Sequence, residues 1–311
     1  MPKNRIAWML ALLLILAVCP ALAEDTRTFV PTAEWEPPVI DESCKDTEPW
    51  LLVLKVAQEE IGYKEGPLSN QTKYGKWFSN RRSAWCAEFL TWCVNEADTR
   101  YGTEMLKTTY PWYGGSDEGA PWFKARGRLV SDNGVMPGTN EKQWLAGADR
   151  YMNEHEYIPY PGDYLWIFYY SRKQGTDHVA IVEGVSRNED GSLLVHVIEG
   201  NNPDTVQRAE YALDYKLIYG YGTPVKRAYT NLRLYYTGDE VTLLARQLEA
   251  LDYYKKPKAG YPSQMDKTLQ TALYRFKLDQ KLSGGKIMDL NTWNALNEAL
   301  AEKGITLEDG E

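Results

Sequence analysis

Apolar residues recur at helical spacing twice in the first third of the chain. Over 49–61, Trp50, Val53, Leu54, Ala57 and Ile61 line one face, the i, i+3, i+4 repeat of an amphipathic helix. Pro49 suits its first turn, Thr47 or Glu48 is placed to cap it, and Gly62 ends it. After a loop of Gly, Pro, Ser and Asn to about Asn80, the repeat returns over 84–97. There Cys86, Phe89, Leu90, Cys93, Val94 and Ala97 share a face, and Ser83 is placed as the cap. Residues 98–160 are aromatic patches, including Trp112, Trp122 and Trp144, broken by Gly and Pro; they predict one helix near 141–154. From Pro161 the pattern changes to runs rich in Val, Ile, Tyr and Leu, predicting strands over 163–170, 177–186, 192–199 and 216–221. Asn188-Glu189-Asp190-Gly191 marks a hairpin turn between two of them. Helices followed by antiparallel strands make an α+β order. Residues 222–238 read as a linker with a short strand at 231–236. Helical spacing then resumes over 240–251, 265–279 and 290–302, enough for a small three-helix domain with its own core.

The start of the chain follows a different grammar. Lys3 and Arg5 precede an apolar run, Ile6 to Val18, and Ala21-Leu22-Ala23 supplies a small-x-small cleavage site. That pattern predicts a secretory signal peptide over 1–23, with an apolar run short for a membrane span. Val18 stands before Cys19 where a lipid-acceptor cysteine usually has a small residue, so simple secretion is expected. Residues 24–46, with Pro31, Pro37 and Pro38, read as a flexible lead-in. The net charge of −8 would become −10 once Lys3 and Arg5 leave with the leader. An acidic chain argues against a mainly electrostatic nucleic-acid binder. The 22 Tyr and 11 Trp against 6 Phe fit a protein that meets sugars or extended polymers, and equally an aromatic core.

Cleavage would leave three cysteines, Cys44, Cys86 and Cys93, an odd number that keeps at least one thiol outside any internal bridge. Either Cys44 pairs with Cys93, or Cys93 stays a buried thiol on the apolar helix face. Cys86 falls in the first turn of its helix. Unpaired N–H groups and the helix dipole favour a thiolate there and help hold an oxyanion. A nucleophile also needs a base, and the chain has 3 histidines. His155 lies in a polar stretch and His196 inside a strand. His178 opens the strand Asp177-His178-Val179-Ala180-Ile181-Val182, where a base can reach a nucleophile on a neighbouring helix. At the end of the next strand, Glu199 or Asn201 is placed to orient the imidazole. No HExxH, CxxC or clustered histidines suggest a metal site. Neither a Gly-rich phosphate loop nor G-x-S-x-G is present, so no cofactor is expected.

Several ordered motifs resemble the CHAP domain, a family of papain-like cysteine amidohydrolases and endopeptidases that cut bacterial peptidoglycan. They are Ala57-Gln58-Glu59-Glu60-Ile61-Gly62-Tyr63-Lys64-Glu65-Gly66-Pro67, then Thr72-Lys73-Tyr74-Gly75-Lys76-Trp77-Phe78, and Ala84-Trp85-Cys86-Ala87. Further on come Pro161-Gly162-Asp163-Tyr164-Leu165, Asp177-His178-Val179-Ala180-Ile181-Val182, Ile198-Glu199-Gly200-Asn201 and Ile218-Tyr219-Gly220-Tyr221-Gly222. The resemblance covers about 47–225 and is weak over 98–158. It implies Cys86 as nucleophile, His178 as base and Glu199 as the orienting residue, with Asn201 supporting or sharing that role. The end of the chain resembles the type 1 peptidoglycan-binding domain. Leu244, Leu248 and Leu251-Asp252-Tyr253-Tyr254 resemble its first helix, Thr268, Ala272, Phe276 and Lys277 its second, and Leu290-Asn291-Thr292-Trp293-Asn294-Ala295-Leu296 its third. The family's Asp-Gly-x-x-Gly turn is replaced by Ala259-Gly260-Tyr261-Pro262-Ser263.

The expected organisation is therefore a signal peptide (1–23), a lead-in (24–46), a papain-like α+β catalytic domain (47–225), a linker (226–238) and a three-helix peptidoglycan-binding domain (239–302). The expected protein is a secreted, wall-associated monomer that cuts an amide of the cell-wall peptide, with N-acetylmuramoyl-L-alanine amidase favoured over endopeptidase. Its partner is peptidoglycan, with no nucleic acid and no membrane span in the mature chain. Two alternatives are a catalytically inactive wall-binding protein on the same scaffold and an enzyme acting on another amide, such as a glutathione conjugate.

Overall fold

The structure, a computed structural model, describes residues 35–79, 82–169 and 176–307. The expected leader over 1–23, Cys19 within it, and the first part of the lead-in lie outside the described residues. Four helices come first: α1 (Trp50–Glu59), α2 (Lys73–Phe78), α3 (Cys86–Tyr101) and α4 (Ser116–Ala125). Eight strands follow: β1 (Leu129–Ser131), β2 (Gln143–Leu145), β3 (Tyr164–Ile167), β4 (His178–Arg187), β5 (Leu193–Glu199), β6 (Gln207–Ala212), β7 (Ile218–Gly222) and β8 (Ala228–Thr230). The last three helices are α5 (Asp239–Ala250), α6 (Lys267–Asp279) and α7 (Leu290–Glu302). Six strands form one antiparallel sheet in the order β1-β7-β3-β4-β5-β6, and β2 pairs with β8 in a separate ribbon.

Strand alternation divides the sheet between two cores. Tyr164, Trp166, Val179, Ile181 and Ile198 point to the side covered by α1 and α3, where they meet Leu52, Val53, Phe89, Leu90 and Cys93. Leu165, Ile167, Ala180, Val182 and Val197 point the other way, onto Met152, Tyr157 and Leu213. The Pro-Gly-Asp motif anchors the first of these strands. Gly162 has φ +93°, and a Cβ there would come within 2.7 Å of the Trp50 ring. Asp163, fully buried, accepts from the Tyr157 hydroxyl at 2.6 Å and the Tyr160 N–H at 2.9 Å.

Three local expectations need correction. No helix forms over 141–154. Gln143 instead bonds the backbone of β1 through both side-chain ends, at 2.8 Å each, and Trp144 is drawn into the core of the C-terminal helices. Ser83 does not cap α3: Trp85 holds the cap position without a side-chain bond, and the Ser83 hydroxyl donates to Glu88 at 3.1 Å. Within 226–238 the strand is β8 at 228–230, not 231–236, and Leu232 and Thr237 make bridges to Met288 and Gln264.

Among the described residues, α5, α6 and α7 gather Leu244, Leu248, Leu273, Phe276, Leu296 and Leu300 into a third core that also takes in Trp144 and Leu232. Asp266 caps α6 at 2.7 Å, and Asp289 caps α7 at 3.0 Å. The Lys226–Glu240 ion pair, 2.8 Å long with side chains 7% and 2% exposed, ties this block to the segment after the sheet.

Candidate active site

Cys86, His178 and Glu199 lie at ends of three elements that the packing brings together. Cys86 is the first residue of α3, His178 the first of β4, and Glu199 the last of β5. Because β4 and β5 run antiparallel with Ala180 opposite Glu199, the start of one strand and the end of the other share one end of the sheet. His178 and Ala180 lie on the same face, so Glu199 is the diagonal neighbour of His178 on that face. Gly200 then permits the crossing of α3, since a Cβ there would lie 2.5 Å from the Trp85 ring.

The His178 Nε2 contacts Glu199 Oε2 at 2.9 Å, and the Cys86 side chain lies close enough to act on the His178 ring. With Nε2 engaged by the carboxylate, Nδ1 is the ring nitrogen that remains. Burial works against charge on His178, but its interactions with Cys86 and Glu199 outweigh that and raise its pKa to about 9. The histidine therefore holds its proton at neutral pH. Cys86 is 3% exposed, at a helix start whose N–H groups have no side-chain cap.

Glu199 is fully buried and receives four donors. Besides His178 these are Tyr211 Oη at 2.9 Å on Oε2, Asn202 Nδ2 at 2.9 Å on Oε1 and Gln207 Nε2 at 3.3 Å on Oε1. Burial alone would raise its pKa; the hydrogen bonds from His178, Tyr211 and Gln207 and the charge of His178 reverse that and hold it below the ordinary carboxylate value. The surrounding protons all run inward. Asn202 also donates to Tyr169 Oη at 2.8 Å, and Tyr169 lies 3.0 Å from Tyr211. Since Tyr211 spends its proton on Glu199, Tyr169 donates to Tyr211. Burial pushes the Tyr169 hydroxyl up to about 12, so it stays a neutral donor.

Asn201 takes the left-handed conformation, φ +67°, and the amide that reaches Glu199 is that of its neighbour Asn202. Asn202, Gln207, Tyr211 and Tyr169 were not singled out by sequence. The adjacent Asn201-Asn202 pair was the one available signal, and spacing alone does not say which side chain turns inward. The other histidines are occupied elsewhere: His155 lies 3.0 Å from Asp132, and His196 bonds Ser186 Oγ at 2.7 Å and stacks on Trp35 at 4.0 Å. All three described cysteines are free thiols, and burial pushes Cys93 well above its ordinary value. Among the described residues no group of three His, Cys, Asp or Glu side chains is placed to hold a metal, and no helix is long and apolar enough to cross a membrane.

The CHAP domain family model matches residues 77–201, a span that includes Cys86, His178, Glu199 and Asn201. CHAP domains are typically cysteine- and histidine-dependent amidohydrolases or peptidases, and the match implies a peptidoglycan substrate. Among solved structures the chain is similar to a periplasmic domain of the EpsAB fusion protein of the Vibrio vulnificus type II secretion system. That similarity is 16% identity over 54% of this chain and 67% of the other, with a TM-score of 0.21, too low to bear on fold or site. No curated protein matches the chain.

Proposed function

We propose that this chain is an exported peptidoglycan hydrolase that cuts an amide of the wall peptide through an acyl-enzyme on Cys86. The Cys86 sulfur attacks the amide carbonyl, and the carbonyl oxygen takes up negative charge beside the uncapped N–H groups at the start of α3. The proton on His178 passes to the departing amine as the C–N bond breaks, leaving a thioester. Water then gives a proton to His178 while its oxygen attacks the thioester, and the sulfur leaves. Glu199 keeps the imidazole in one orientation and stabilises its charge throughout. The observation that carries this reading is the buried Cys86–His178–Glu199 series, with His178 raised to about 9 by its two partners.

The muramoyl–L-alanine amide is favoured over a bond within the stem. Trp77, Phe78 and Trp112 form a cluster with centroids 5.0 to 6.3 Å apart, and Trp112 is 42% exposed. Trp112 adjoins Tyr113, which packs in the same core as Cys86. Aromatic faces of this kind suit a sugar ring, which supports a glycan end of the substrate near this cluster. The leader and a wall-binding role for 239–302 belong to the same reading, since both would bring the enzyme to its polymer.

Digestion of purified sacculi, followed by mass spectrometry, tests it. An amidase frees the L-alanine amine and leaves intact muramoyl carboxylates. Cuts confined to the stem, with every muramoyl–peptide link intact, would replace amidase with endopeptidase. No cleavage by the folded protein would leave the inactive wall-binding reading in its place.

A further inference from the structure

The loop after α1 and helix α2 enclose a groove of about 510 Å³ whose lining includes Tyr63, Lys64, Lys73, Lys76 and Arg82 and no acidic residue. In a chain of net charge −8, four cations around one concavity run against composition. Lys73 is held by Glu60 at 2.5 Å and lies 4.4 Å from the Trp92 ring centre. Among the described residues no ion pair engages Lys64, Lys76 or Arg82. Unpaired cations gathered in a concave wall focus positive potential and attract anions.

The walls of the groove are tied to the segments that carry the candidate active site. Gly62 N–H donates to Val206 at 2.9 Å, Val206 N–H returns to Tyr63 at 2.9 Å, and Glu65 N–H donates to Asp204 at 3.2 Å. This pairing fixes the Tyr63–Lys64 wall to the loop that follows Asn202, itself bonded to Glu199. On the other side, the Tyr63 ring packs edge-on against Trp85 at 6.3 Å, and Trp85 Nε1 donates to Glu65 at 3.1 Å. Trp85 is the residue before Cys86, so the groove wall packs on the residue that leads into α3.

We infer that this groove binds the free carboxylates of an acidic wall peptide and so selects stems whose carboxyl groups are not amidated. The inference rests on the hydrolase reading for its substrate and adds the feature of that substrate which the enzyme recognises. Carboxylates are preferred over wall phosphates because the groove wall is fixed to the segments that carry Cys86 and Glu199, so a group held there fits an extension of the reacting peptide.

The test uses full-length Cys86→Ala protein, which binds without cutting, and two soluble muropeptides that differ only in amidation of the stem carboxyls. The free-acid form should bind about 10-fold more tightly at low salt, the equivalent of ~1.4 kcal/mol, with the difference shrinking as salt rises. Adding Lys76→Glu and Arg82→Glu, both on exposed side chains, should abolish that preference, while Lys76→Arg with Arg82→Lys should keep it. Equal binding of the two muropeptides, or a preference that survives charge reversal, would overturn the inference. Tighter binding of a glycerol-phosphate oligomer than of the acid muropeptide would also overturn it, in favour of wall phosphates. Turnover by the wild-type chain separates the two readings: binding preference without cleavage faults the hydrolase, and cleavage without preference faults the groove.

Discussion

The polar network around Glu199 and the core of the C-terminal helices both bury charged groups, yet they use them differently. In the C-terminal block the buried charges are closed off by structural partners. Lys277, 1% exposed, donates to the Ile287 carbonyl at 2.7 Å and to Asp289, which also caps α7, while Lys226 pairs with Glu240. These groups finish helix ends and join segments, and the core around them is chiefly Leu, with Val, Ala, Met, Phe, Tyr and Trp. Around Glu199 the donors are also matched to acceptors, but the series does not end in a structural partner. It passes through His178 to a thiol at the start of a helix. A satisfied buried carboxylate is costly to build and returns little stability. One placed behind a histidine and a helix-start thiol fits the hydrolase reading proposed above.

Two substitutions sharpen that contrast. Phe276→Ala should lower the stability of the C-terminal block by about 3–5 kcal/mol through the cavity it leaves, visible as an earlier thermal transition. Turnover per folded molecule should change little; a large loss of turnover in the folded variant would mean the two regions are coupled.

Glu199→Gln should act the other way, with a modest effect on melting and a fall in turnover of about 100-fold or more, exceeding that of Asn201→Ala. The pH dependence gives it a signature. His178 is raised from 6.5 to about 9 in the folded protein. A raised basic group contributes stability that is full below pH 6.5 and is lost as pH climbs through 9. Both the stability and the alkaline limb of activity should decline over that window, and in Glu199→Gln the decline should move toward lower pH. A limb that stays in place would show that Glu199 does not hold the imidazolium.

The comparison also shows what sequence makes visible. α3, β4 and β5 were legible because each carries an apolar repeat matched to its period, and Cys86, His178 and Glu199 stand at their ends. β6 was not, because it is an edge strand with the pattern Gln207-Arg208-Ala209-Glu210-Tyr211-Ala212, and edges are polar for good reason. α4 carries Pro121 and Gly119, which read as loop; Gly119 is there because a Cβ would meet Tyr113 and Trp166 at 2.7 and 2.9 Å. The false helix at 141–154 shows long-range contacts overriding local spacing, with Gln143 and Trp144 taken up by β1 and the C-terminal core. Asn202, Tyr169 and Tyr211 could not be found by spacing, because they meet only where a tight turn, β3 and β6 converge on Glu199.

The claim that Cys86 carries the chemistry is tested most directly by intact-protein mass spectrometry of an acid-quenched reaction with a soluble muropeptide. The account predicts a transient mass increase equal to the acyl half of the substrate, located on the peptide containing Cys86, and at least a 1,000-fold loss of turnover in Cys86→Ala, on the order expected when a covalent nucleophile is removed. Product formation at the wild-type rate by Cys86→Ala, or an adduct on any other residue, would contradict it.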